Sequence, residues 1–253
     1  MELRYIDLDT RLDAIQDRFW GLTATQRARW DDLEHVAWLY HELQLEGVGV
    51  RPSDIARARA GEEGADYCDR VLLEQIRRAD ALLHQVRDQA QAGEALTVPT
   101  LRQWVAQLDA NAGDVAFRKK DGPTEHYKHE VLAPKEILNA LEALLERTQS
   151  DDAGHALEVA LELLYQIGKI WPFSQWSGMC ARLAASYILI EAGYPPWILP
   201  ARERMNFYQA YHHEPSRMKD LFLHGVEGIF ASKDVFIQER GELNTLELEE
   251  YTP

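Results

Sequence analysis

The stretch Ile170–Leu183, IWPFSQWSGMCARL, separates two long apolar helical patterns with a short segment rich in tryptophan and punctuated by proline and glycine. Residues 179–192 are apolar nearly all round, the pattern of a central helix enclosed by others. The segment leading into that helix is therefore interior as well. Interior loops are costly, because each N–H and C=O removed from water needs a partner. What surrounds this loop decides the fold.

Outward from it, helical periodicity dominates. Residues 154–169 carry Leu157, Leu161, Leu164 and Ile167 at three-and-four spacing, and residues 24–46 carry Leu33, Val36, Tyr40 and Leu43 in the same way. Gly47 stands where a helix would stop, and Pro52 where the next would start. Further helices are expected over 67–92, 99–110, 134–148, 201–212 and 215–240. Residues 112–134 break the pattern: Asp121-Gly122-Pro123 lies between β-compatible flanks and reads as a hairpin. The expectation is an all-α fold with a single β-hairpin flap. It divides into an N-terminal helical extension (1–32), a main domain (33–240) and an acidic, loosely held tail (241–253).

Composition narrows the partners. The 253 residues are 46% hydrophobic, enough for a sizeable core. Lys+Arg 27 against Asp+Glu 42 gives a formal charge of −15, which argues against nucleic acid and anionic lipid as partners. The longest apolar run is too short and interrupted for a membrane span. The polar, acidic start MELRYIDLDTRLD is unlike a signal peptide. Two cysteines, Cys68 and Cys180, make neither a disulfide framework nor a thiolate metal site. A cytoplasmic protein is expected, with no cofactor and no metal site.

Residues Trp171 to Arg182 align without a gap on HxFx(D/E)GNGRxxR, and on these residues the chain resembles the Fic (Fido) family. Several other segments resemble family features in the same order. LYHELQLEGV resembles the inhibitory helix (33–47 here), and RQWVAQLDANAGDVAFRKKD the lead into the flap. His155 stands where a His-Pro is frequent, AGYPP resembles the end of the helix after the motif, and RERMNFYQAY a later helix. The core motif loop is 170–182.

The resemblance implies a helical fold and AMP transfer from ATP to a hydroxyl, but the motif residues depart from that chemistry. The base position is Trp171, whose indole accepts no proton. The Mg²⁺ carboxylate position is Gln175, a neutral ligand. The phosphate-cradling run reads Trp176-Ser177-Gly178-Met179, which loses an arginine at Met179. Phe173, Gly178 and Arg182 remain. In autoinhibited members a glutamate pairs with the last motif arginine and blocks the γ-phosphate site; here those positions are Glu46 and Arg182, with Glu42 in place of the family's Ser/Thr.

AMP transfer by the family mechanism is not expected, and two readings stay open. One is a pseudoenzyme, a binding or regulatory module with a protein or small-molecule ligand of unspecified identity. The other is an enzyme that reuses the altered pocket, with Glu46, Arg182, Cys180 and Gln175 as candidate groups. AMP transfer with a relocated base is the remote case, and a homodimer is left open. His126 and His129 with Glu125 and Glu130 read as an exposed polar hairpin, and His212-His213-Glu214 point apart.

Overall fold

The computed structural model describes residues 2–109, 116–119, 131–150, 152–212 and 215–239. Ten α-helices occur among them: α1 Glu2–Trp20, α2 Ala24–Leu45, α3 Pro52–Arg59, α4 Tyr67–Gln91, α5 Val98–Leu108, α6 Ile137–Thr148, α7 Ala156–Ile170, α8 Ser177–Glu191, α9 Arg204–Ala210 and α10 Pro215–Gln238.

Local chemistry starts these helices. Thr23 accepts from the Gln26 N–H while the Gln26 side chain accepts from the Thr23 N–H, a reciprocal cap for α2. Asp66 and Thr97 cap α4 and α5 in the simpler way. His155 Nδ1 accepts from the Leu157 N–H to cap α7, and its Nε2 lies 2.9 Å from Asp9 of α1. Tyr5 stacks on the same imidazole, so this one side chain also docks α1.

α7 and α8 form the most extensive helix pair, and α8 is buried from Ser177 to Ile190. α4, α5 and α7 flank α8, while α10 packs on α1, α7 and α9. The apolar residues of α1 join the same core as those of α8. The boundary expected between 32 and 33 falls inside α2, one unbroken helix.

Several boundaries differ from expectation. α8 begins at Ser177 and not 179, because Gly178 is helical and not a turn residue. The segment 201–212 is a 3₁₀ turn, Ala201–Glu203, followed by the short α9. The segment 134–148 likewise opens with a 3₁₀ turn, Pro134–Glu136. No strand occurs among the described residues. Most of the hairpin expected over 112–134 lies outside them, as do Glu125, His126, His129, Glu130, His213, Glu214 and the tail 241–253.

Gly168 lets α7 pass close to Tyr211: a Cβ there would overlap the Tyr211 ring and hydroxyl. Tyr211 is 1% exposed and its hydroxyl donates to the Leu164 carbonyl, so it has nowhere to retreat. Gly168→Ala is expected to lower stability by about 1–3 kcal/mol in chemical denaturation, the overlap outweighing alanine's better helix propensity.

Candidate functional site

The loop between α7 and α8 has its polar backbone groups met from two directions. Arg118, 4% exposed, donates from Nε to the Trp171 carbonyl at 2.6 Å and from Nη2 to the Ile170 carbonyl at 3.1 Å. It also donates to the Leu132 carbonyl, and its backbone N–H reaches the Pro172 carbonyl at 3.0 Å. From the other side, Ser177 Oγ accepts from the Phe173 N–H and donates to the Phe173 carbonyl, both at 2.8 Å. The serine in the family's asparagine position thus closes the loop on itself.

Two tryptophans hold the left-handed backbone conformation: Trp171 (φ 49) ends α7 and Trp176 (φ 66) precedes α8. For a bulky L-residue that conformation costs roughly 1–2 kcal/mol. The family pattern has glycine at position 176, the residue that adopts it freely. Trp171 is 4% exposed and Phe173 1%, whereas Trp176 is half-buried.

Arg182 is fully buried and lies between two carboxylates of the α2 C-terminus. Its Nε donates to Glu42 Oε2 and its Nη2 to Glu46 Oε1, each at 2.7 Å. Its Nη1 has no hydrogen-bond partner among the described residues, and the Phe207 ring lies 5.6 Å from the guanidinium carbon. Glu46 crowds the first turn of α8: a Cβ on Gly178 would sit 2.8 Å from its Oε1 and 3.0 Å from the Tyr208 hydroxyl. The carboxylate thus lies against the first turn of α8.

α9 fixes that arrangement from behind. Arg204 Nε and the Tyr208 hydroxyl both donate to the Leu45 carbonyl, at 2.8 and 3.2 Å, capping α2 just before Glu46. Gly47 then turns the chain at φ +85, with Arg204 Nη2 3.2 Å from where a Cβ would stand.

Burial opposes the Arg182 charge, but the two carboxylates outweigh it and hold the guanidinium firmly protonated. Burial pushes the Glu42 carboxyl from 4.5 up to about 7; the Arg182 charge pulls it down and the Glu46 charge adds to the rise. One guanidinium cannot neutralise two buried carboxylates, and Glu42 carries the deficit.

The sequence candidates therefore separate. Glu46 and Arg182 meet, and Glu42, not among the candidates, joins them. Cys180 is buried, and burial together with the Glu46 charge pushes its thiol far above the ordinary range, the setting of a packed residue and not a nucleophile. Met179 is fully buried. Gln175 is exposed and lines, with Trp176, Tyr67, Val71, Leu108 and Asp109, a groove of about 490 Å³ beside the loop. A neutral, exposed amide does not suit Mg²⁺, so the residues present do not fit the family's metal. Arg118 was not legible as a site residue, since its loop partner Trp171 is 53 residues away. His35, Asp80 and His84 bring three ligand-type side chains together elsewhere.

Comparison with known proteins bears on the fold around this site. Residues 95–189 match the Fic/DOC family model, a span that contains the loop, Gly178 and Arg182. Protein adenylyltransferase fic-1 of Caenorhabditis briggsae is 30% identical over 83 residues, which are 32% of this chain and 16% of that protein. A Fic-domain signaling protein from Bacteroides thetaiotaomicron superposes with a TM-score of 0.70 at 17% identity, covering 95% of this chain and 97% of its own. A fragment of Fic-1 from C. elegans gives 0.71 at 18% identity, with 92% and 73% covered. At those identities the superpositions speak for the fold alone. Residues 95–189 thus resemble the Fic/DOC family, and the fold is that of Fic-domain proteins.

Two substitutions distinguish the carboxylates. Glu46→Gln leaves Arg182 short of its ionised partner, and stability is expected to fall by about 3–5 kcal/mol. Glu42 acts differently, because its folded pKa lies above its unfolded value. The folded state holds the extra proton between 4.5 and about 7, so this contribution is complete below that window and is lost as pH rises through it. Glu42→Gln, a permanently neutral replacement, should match the parent near pH 4.5 and exceed its stability above pH 7 by up to about 3 kcal/mol. His41 has the opposite sign: burial, then Arg202, lowers it from 6.5 to about 4, so its contribution is lost as pH falls. The difference between parent and Glu42→Gln denaturation curves cancels that background. A Glu42→Gln variant less stable than the parent at pH 8 would contradict the assignment.

Proposed function

We propose that this chain is a Fic-fold protein without AMP-transfer activity, which serves as a binding or regulatory module. The observation that carries this reading is the burial of Arg182 between Glu42 and Glu46 beneath a loop whose base position is Trp171. The arginine that would meet a γ-phosphate is already paired twice. The base position offers an indole, and the metal position offers Gln175 at the surface. Releasing Arg182 would supply one cation and neither of the other two requirements.

A second reading, a reused pocket with different chemistry, draws on the groove beside Gln175 and Trp176. Turnover of a compound bound there would favour it, and binding without turnover would favour the first.

The test is label transfer from α-labelled ATP with Mg²⁺, using the full chain, Glu46→Gly and Trp171→His. No transfer is expected from any of the three, and calorimetry should find no micromolar affinity for Mg²⁺-ATP. Transfer by Glu46→Gly would show a working enzyme under inhibition and would overturn the proposal.

A further inference from the structure

Away from the motif loop, α2 and α4 share a cluster the proposed function does not use. His35 of α2 is 2% exposed and its Nε2 lies 2.8 Å from Asp80 Oδ1 of α4. His84, four residues after Asp80 and so on the same face of α4, stacks on the His35 ring at 3.9 Å between centroids. The nearest ligand atoms of the three lie within 4.8 Å of one another. His35 Nδ1 is buried and has no hydrogen-bond partner among the described residues.

We propose that His35, Asp80 and His84 bind a transition-metal dication of the Zn²⁺ class, with solvent completing the coordination, and so fasten α2 to α4. Two imidazoles and one carboxylate make a ligand set for Zn²⁺ and its neighbours and not for Mg²⁺. A tetrahedral ion with bonds of about 2.0–2.1 Å holds its donors about 3.3 Å apart. His35 Nε2 and Asp80 need to open by about half an ångström to admit it. His84 is exposed, so its ring can leave the stack and swing inward while the buried ligand stays in place.

The protonation states suit this chemistry. Burial, and then the His35 charge, lowers the His84 pKa, which favours the neutral imidazole that a metal requires. At Asp80 burial acts to raise the pKa, but the hydrogen bond from His35 and the nearby charges of His35, Arg59 and His84 together outweigh it and the carboxyl stays ionised. The bound ion would hold the helix whose C-terminal end presents Glu42 and Glu46 to Arg182, about two and three turns beyond His35. This inference stands independently of the missing AMP transfer.

The experiment titrates the chelator-stripped full chain with Zn²⁺ in a calorimeter, and with Co²⁺ as a spectroscopic probe of tetrahedral geometry. One site per chain, a visible tetrahedral Co²⁺ band and a melting temperature raised by excess Zn²⁺ are expected. His84→Ala, at an exposed position, should melt like the parent without metal and bind at least about tenfold more weakly, the drop that even loss of a supporting partner gives. Asp80→Asn should do the same, while the His126→Ala/His129→Ala double variant should bind like the parent. Binding that survives His84→Ala, binding lost in the double variant, or no rise in melting temperature with Zn²⁺ would overturn the proposal.

Discussion

A buried guanidinium sets the terms for this molecule. Arg182 has no water to fall back on, so its charge can be kept only if carboxylates come to it. Both come from one helix end, Glu42 and Glu46 of α2. That end must therefore be held, and Arg204 and Tyr208 of α9 hold it through the Leu45 carbonyl. The first turn of α8 must also leave room, which Gly178 does by lacking a Cβ. Three helices distant in sequence are thus positioned by the needs of one side chain.

The loop ahead of α8 carries its backbone strain on two tryptophans. A left-handed residue before the helix is a demand of the path, and glycine is its inexpensive solution. Trp176 meets the demand at a cost in strain, while Trp171 does the same at the end of α7. Both costs persist because the surroundings over-determine the loop: Arg118 holds its carbonyls and Ser177 its turn. The loop shape is therefore held through its backbone carbonyls and Ser177, whatever side chains it displays.

Much of this was legible before the structure. Three-and-four spacing located α4 and α7, because each turns one apolar stripe inward, whereas α2 buries a wider surface that includes Glu34, His35, His41 and Glu42. The ungapped motif put Arg182 at the base of the loop, and the resemblance of 33–47 to an inhibitory helix put Glu46 opposite it. Three features escaped, each for a physical reason. Glu42 occupies a position where the family pattern has a hydroxyl, and a charged residue on a helix is ordinarily read as solvated. Arg118 reaches carbonyls more than fifty residues away, a relation that no local pattern encodes. His35 and Asp80 are 45 residues apart and meet only because α2 lies against α4.

Arg118 has one more consequence. Its guanidinium grips the Leu132 carbonyl as well as those at the end of α7, so the chain between 118 and 132 begins and ends on one rivet. The entropy of bringing those ends together is spent when the domain folds, a cost that grows only as about (3/2)RT ln n with loop length. Any displacement of Arg118 would therefore reach Trp171 and Pro172 together, through its guanidinium and its backbone N–H.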